Sequence, residues 1–211
     1  MAHRKPQFDL FAKPRRKGKK RGRKPTNATA GISHLRRPSL HKRLPVHVTL
    51  RMRQHVYNLR SRRCFSQIKQ AFFRAMGKAG FRLNEFSVQG NHIHLIVEAD
   101  SNRDLSRGIQ GLSISMAKRL NRVMNKHGAV FADRYHAHLL RTPTEVRNAI
   151  RYVLGNHRKH SAQYGERIIS TFDDYSSEAR GDLPISEPRT WLLRTWSRGT
   201  SRMNGGEDAS G

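Results

Sequence analysis

Apolar Val46, Val48, Leu50 and Met52 alternate with polar His47, Thr49, Arg51 and Arg53. A period of two belongs to a strand that packs one face, so a strand is predicted after Pro45, with a polar, basic second face. The period then changes. Phe65, Ile68, Phe72 and Met76, spaced by 3, 4 and 4, predict a helix over 61–78 that is buried on one side, with Gly80 suited to end it. Residues 82–88 and 92–98 read as two strands joined by a hairpin turn at Gln89-Gly90-Asn91. Ser101 and Asp104 resemble a capping box, and Leu105, Ile109, Leu112, Met116, Leu120 and Val123 continue a second helix until Gly128. Residues 130–140 predict a fourth strand. Thr142-Pro143-Thr144-Glu145 then supplies an N-cap, a proline at the first helical position and a glutamate, opening a third helix through about Lys159.

The first six elements run βαββαβ. That order predicts an α+β, ferredoxin-like fold, a four-stranded antiparallel sheet with two helices on one face, followed by one more helix. The other face, with His47, Thr49 and Arg51, is expected to stay open to a ligand. Topology alone does not fix function, because many RNA binders share it.

Charge narrows the partner. The 211 residues carry 42 Lys+Arg against 15 Asp+Glu, a formal +27, which calls for a polyanion, either nucleic acid or an anionic membrane surface. No apolar run approaches the roughly 18 residues of a spanning helix, and no signal-peptide core follows the basic N-terminus, so no membrane partner is expected. Cys64 is the single cysteine, which excludes disulfides within the chain and cysteine-built zinc sites and fits a reducing cytosol.

Residues 1–44 hold 15 Lys+Arg and one acid, Asp9, and so supply +14 of the charge. The run Arg15-Arg16-Lys17-Gly18-Lys19-Lys20, continuing to Lys24, has no apolar residue, and Pro6, Pro14, Pro25 and Pro38 interrupt the segment. A disordered DNA-binding arm is predicted for 1–44. Within it Arg21-Gly22-Arg23-Lys24-Pro25 resembles an AT-hook with Lys24 inserted, which makes Arg21, Arg23 and Lys24 candidate DNA contacts. The compact domain is expected over 45–161 and a C-terminal extension over 162–211, disordered from about 203. Trp191, Leu192, Leu193 and Trp196 give that extension enough apolar surface to pack on the domain or on a partner chain.

Candidate chemistry lies on the third strand and third helix. His92 and His94 flank Ile93 and share one strand face, a ready two-point clamp for a divalent metal. A second pair, His136 and His138, lies on the fourth strand and could neighbour the same site. On the third helix Val146, Ile150 and Val153 form the packed stripe, whereas Tyr152, Asn148, Asn156 and Lys159 form a polar one bordered by Arg151 and Arg158. Those cations favour a phenolate at Tyr152 and would hold a phosphate against it. Tyr135, Tyr57, Tyr164 and Tyr175 are fallback nucleophiles.

The residues leave two other readings open. His47-Val48-Thr49 and His92-Ile93-His94 could be the paired motifs of a metal-free two-histidine RNA phosphoesterase, although the second lacks the hydroxyl residue. Alternatively the chain is a non-catalytic DNA/RNA-binding protein, although the open face of the first strand lacks stacking Phe or Tyr.

Three segments resemble the single-tyrosine HUH transposases and, within them, the REP-associated tyrosine transposases. Asn91-His92-Ile93-His94-Leu95 is similar to the family's N-H-x-H-L motif, Phe131-Ala132-Asp133-Arg134-Tyr135-His136 to its final strand, and Arg151-Tyr152-Val153-Leu154-Gly155-Asn156 to its Y-x-x-x-N/Q helix. Gln89-Gly90 replaces the usual Met-Pro before the first motif, and Asn156-His157 the usual Asn-Pro after the tyrosine. The resemblance covers about 45–161. It implies Tyr152 as nucleophile, His92 and His94 as ligands of Mg²⁺ or Mn²⁺, and Asn156 as third ligand or its water-holding substitute. It further implies a bacterial, cytoplasmic, nucleoid-associated enzyme. Its substrate would be single-stranded DNA beside a hairpin stem, cut through a 5′-phosphotyrosine intermediate. Arg51, Arg53, Arg134, Arg141, Arg151, Arg158 and Lys159 are candidate backbone contacts. Relatives act as single chains or as homodimers that share active sites, and a degenerate member would retain binding only.

Overall fold

The computed structural model describes Leu40 and residues 44–163, 172–179 and 182–196, with side chains in the last long helix described as far as Gly155. The predicted arm, apart from Leu40 and Leu44, and the tail from 203 lie outside these residues. The elements are β1 (Val46–Arg51), α1 (Arg62–Met76), β2 (Phe81–Val88), β3 (His92–Ala99), α2 (Asn102–Met124), β4 (His136–Leu139) and α3 (Pro143–Gln163). They build the predicted α+β architecture, a four-stranded sheet in the order β2-β3-β1-β4 with every neighbour antiparallel. β3 and β1 are thus central, and side chains they present are held from both sides.

The apolar half of each alternation faces α1 and α2. Val46, Val48 and Leu50 from β1 and Ile93, Leu95 and Val97 from β3 pack with Ile68, Phe72, Ile109, Leu112 and Met116 in one buried cluster. Each such side chain contributes about 1.5–3 kcal/mol when removed from water. Both helices start on a serine cap, of which Ser101 is the one expected from the sequence. Ser61 Oγ accepts from Cys64 N at 3.3 Å, and Ser101 Oγ accepts from Asp104 N at 3.1 Å. α2 passes so close to β2 that a Cβ on Gly108 would lie 2.3 Å from ring carbons of Phe81.

Three boundaries differ from expectation. α1 ends at Gly77 rather than Gly80, which has φ +73 and lies in the turn into β2. α2 ends at Asn125 in the left-handed conformation (φ 51), because asparagine tolerates that geometry and stops the helix before Gly128 is reached. The fourth strand is interrupted. β1 advances three residues from Thr49 to Met52 while its partner advances five, from Phe131 to His136, so two extra residues bulge out and only His136–Leu139 form β4.

The second face is only partly open. α3 packs over β2 and β3, laying Val146, Ile150 and Val153 on Ile96, and Leu192 and Leu193 of a short helix over 191–196 complete this second core. The extension also seals the free edge of β2. Val88 N donates to Tyr175 O at 2.8 Å, and Ser177 N and Ser186 N donate to Phe86 O and Leu83 O at 2.9 and 2.6 Å. Arg60 pins this run through a bidentate pair with Asp173 at 3.0 and 2.7 Å. The described part of the extension therefore packs on its own domain.

Candidate active site

His92 and His94 leave β3 on the face opposite α1 and α2, with ring centroids 4.8 Å apart. β1 supplies their neighbours, since Arg51 is the cross-strand partner of His92 and Thr49 that of His94. A tight hairpin precedes them. Gln89 N donates to His92 O at 2.9 Å, and Gly90 O and Asn91 O accept from Leu59 N and Met52 N, both at 2.9 Å, which fixes the turn.

Both imidazoles are held through Nδ1. Asn91 Oδ1 lies 2.7 Å from His92 Nδ1, and because an amide oxygen can only accept, Nδ1 carries the proton, which leaves the lone pair of the neutral ring on Nε2. His94 Nδ1 lies 3.2 Å from Thr49 Oγ1 and 3.2 Å from His47 Nε2. Burial, reinforced by His138 and His136, lowers the His47 pKa to about 4, so His47 is neutral at physiological pH. In the tautomer that donates from Nδ1, His94 carries its lone pair on Nε2, an atom buried from solvent. Fixing one ring nitrogen to leave the other for a cation is the usual second shell of a histidine ligand.

α3 brings the tyrosine. Its cap forms as predicted, with Thr142 Oγ1 accepting from Glu145 N at 3.1 Å and Glu145 Oε2 accepting from Arg141 N at 2.6 Å. With the apolar stripe committed to Ile96, the polar stripe turns toward the histidines. The Tyr152 ring lies edge-on, 5.1 Å from the His94 centroid and 6.0 Å from that of His47, and the residue remains 40% exposed.

Among the described residues no group of three or more His, Cys, Asp or Glu could hold a metal ion. Two imidazoles each held at Nδ1 nevertheless fit a divalent cation that takes its remaining ligands as oxygens from an amide, water and phosphate. Asn156 lies one turn beyond Tyr152 on α3, with its side chain outside the described residues, as are those of Arg158 and Lys159.

The other candidates divide clearly. Arg51, Arg53, Arg134, Arg141 and Arg151 are exposed, with Arg53 Nε donating to Phe131 O at 3.3 Å. Arg21, Arg23 and Lys24 lie outside the described residues. His136 and His138 pair with Thr49 and His47 and so share the site face, as exposed neighbours. Tyr135 points the other way, with its hydroxyl 3.5 Å from Ser106 Oγ on α2. Tyr175 meets Phe65 edge-on at 4.8 Å, and Tyr57 lies under Lys126 at 5.4 Å. Tyr164 is outside the described residues. Sequence reasoning missed His47, Thr49 and Asn91 as holders of the two histidines. The first two become visible only when the alternation of β1 is aligned in register with β3.

A histidine pair on the sheet thus faces a tyrosine on α3. Residues 41–156, more than half the chain, match the family described as transposase IS200 like, and the protein belongs to that family of DNA-processing enzymes. Among solved structures, a REP-associated tyrosine transposase bound to a REP hairpin has the same fold, at 17% identity and TM-score 0.51, covering 75% of this chain and 99% of that one. A proposed transposase from Deinococcus radiodurans matches more loosely, at 12% identity and TM-score 0.40, covering 65% of this chain and 98% of that one. No curated protein matches the sequence.

Proposed function

We propose that the chain is a metal-dependent DNA-nicking and strand-transfer enzyme that cuts single-stranded DNA beside a hairpin stem. The observation that carries this reading is the Tyr152 ring 5.1 Å from His94, with both histidines held through Nδ1. His92 and His94, with Asn156 as the third ligand, would hold Mg²⁺ or Mn²⁺. When bound, the cation polarises the scissile phosphate and offsets charge that develops on its oxygens.

The Tyr152 phenolate attacks phosphorus. A Tyr Oη–P bond forms as the P–O3′ bond breaks, and the leaving oxygen takes the electron pair and then a proton as a free 3′-OH. The product is a 5′-phosphotyrosine. Attack by another 3′-OH reverses the step, so bond energy is conserved and no nucleotide cofactor is consumed. Arg51 beside His92, and Arg53, Arg134, Arg141, Arg151, Arg158 and Lys159 around the face, would bind the DNA backbone. The hairpin held by the structural neighbour supports a repetitive palindrome as the substrate here.

The catalytic unit is 45–161. The arm 1–44, with Arg21, Arg23 and Lys24, would grip the hairpin stem. Such a substrate would place the protein at the bacterial nucleoid, and no described helix is long and apolar enough to cross a membrane. The Tyr152 ring meets His94 of its own chain at 5.1 Å, which supports cleavage in cis over a homodimer that shares active sites.

The test is incubation of a labelled single-stranded hairpin oligonucleotide with Mn²⁺. Wild type should form a covalent adduct that EDTA abolishes and that Tyr152→Phe lacks. An adduct that persists in Tyr152→Phe, or in EDTA, would overturn the proposal.

A further inference from the structure

β3 carries more than the two histidines. Continuing along the same strand face, Ile96 supports α3, and Glu98 lies fully buried, with 0% of its surface exposed. A carboxylate at that depth is costly unless its lone pairs are satisfied. Here they are. Arg82 Nε donates at 3.1 Å, and the backbone N–H groups of Arg189 and Thr190 donate at 2.9 and 2.7 Å to opposite oxygens. Those two amides are the entry to the helix over 191–196, and Thr190 Oγ1 accepts from Leu193 N at 3.4 Å as its cap. The helix is fixed at its N-terminus by a buried negative charge, the favourable end for one.

What the helix then buries is specific. Leu192 and Leu193 enter the cluster of Val146, Ile150 and Val153, the apolar stripe of α3, with Trp196 packed against it, while Trp191 stays 68% exposed. Val153 and Tyr152 are adjacent, so one flank of the tyrosine-bearing helix rests on the sheet and another on this C-terminal wedge. One strand therefore sets both halves of the site, the histidines directly and the tyrosine through Ile96 and the Glu98-anchored helix.

We infer that Glu98 and residues 188–196 form a positioning device that fixes the angle of α3 and hence the approach of Tyr152 to the scissile phosphate. Its consequence for catalysis rests on the proposed transposase chemistry. Its structural half does not. Because misplacement of a reacting group by about 1 Å can cost on the order of 100-fold in rate, a loosened wedge should act on turnover. His92, His94 and Arg51 lie on the sheet, so metal and DNA binding should fall less than turnover, through Asn156, Arg151, Arg158 and Lys159 of α3 alone.

The experiment uses the full chain and compares Leu193→Ala and Glu98→Gln with Leu193→Met and with Trp191→Ala as the exposed control. Single-turnover adduct formation should fall roughly 10- to 100-fold in the first two, with hairpin Kd and Mn²⁺ affinity changing by several-fold less than the rate. Leu193→Met should restore most of the rate. Hydrogen exchange should rise in peptides covering 143–155 and stay unchanged in β1 and β3. If wild type forms no adduct, the transposase reading fails, yet the exchange pattern still decides the positioning role. Unchanged exchange in α3 would overturn the inference, as would loss of protection across the sheet as well, which would make the segment a general element of the fold.

Discussion

Thr49 and His94 are cross-strand partners, and the hydroxyl of the first meets Nδ1 of the second at 3.2 Å. The hydroxyl is the smallest group on β1 that can take a proton from that ring and leave Nε2 for the proposed cation. Thr49→Val keeps the branched shape and removes the acceptor, so Mn²⁺ affinity should fall about 10-fold or more, the usual cost of removing a group that orients a metal-binding histidine. Thr49→Ser should bind like wild type. Titration of the free protein with Mn²⁺, followed by electron paramagnetic resonance, checks both. Equal affinity in all three proteins would show that His94 is oriented by His47 alone.

Gly108 tests how tightly the helical layer is set against the sheet. A Cβ there would sit 2.3 Å from ring carbons of Phe81, itself buried between β2 and α2, and neither can retreat cheaply. Gly108→Ala should destabilise by about 1–3 kcal/mol despite alanine's better helix propensity. Urea unfolding of the two proteins measures it. A gain in stability would mean that α2 shifts freely over the sheet.

The parts of this molecule that could be read from the sequence are those in which one local period decides the outcome. The alternation of His47, Thr49 and Arg51 with Val46, Val48 and Leu50 gives β1, and the stripe of Val146, Ile150 and Val153 gives the buried side of α3. What stayed hidden depends on register or on competition. The interruption of the fourth strand comes from two residues with no counterpart on β1, and nothing in residues 130–140 announces them. Asn125 competes with Gly128 to end α2 and wins by coming first. For the site, H-x-H and the tyrosine were legible as motifs. The roles of Thr49, His47 and Glu98 require knowing which strand lies beside which, and that Glu98 meets amides about ninety residues later in the chain.

The basic arm makes a prediction about salt. Residues 1–44 carry +14 and no apolar pattern, so their contribution to DNA binding should be counterion release. Deleting them should weaken hairpin binding at low salt and flatten the dependence of log Kd on log salt by about 0.9 for every duplex phosphate that the arm neutralises. Fluorescence anisotropy across a salt series reads the slope. An unchanged slope would remove the arm from the interface.

A carboxylate at the sealed edge of β2 makes stability pH-dependent. Burial raises the Glu85 pKa to about 7, against the lowering effect of its hydrogen bond from Ser177 Oγ, and Glu178 adds a like charge that raises it further. A raised folded-state value means that, between the unfolded value of 4.5 and about 7, the folded protein holds a proton the unfolded chain has released. Stability from this group is fully present below the lower value and is lost as pH rises through the upper one. Wild type should therefore lose thermal stability relative to Glu85→Gln between about pH 5 and pH 8, because the amide keeps an acceptor for Ser177 without a charge to bury. Segment 172–179, which Ser177 holds to β2 and Asp173 to Arg60 just before α1, should loosen first, visible as faster hydrogen exchange there at pH 8 than the intrinsic pH effect explains. Parallel melting curves for the two proteins over that range would assign the proton to another group.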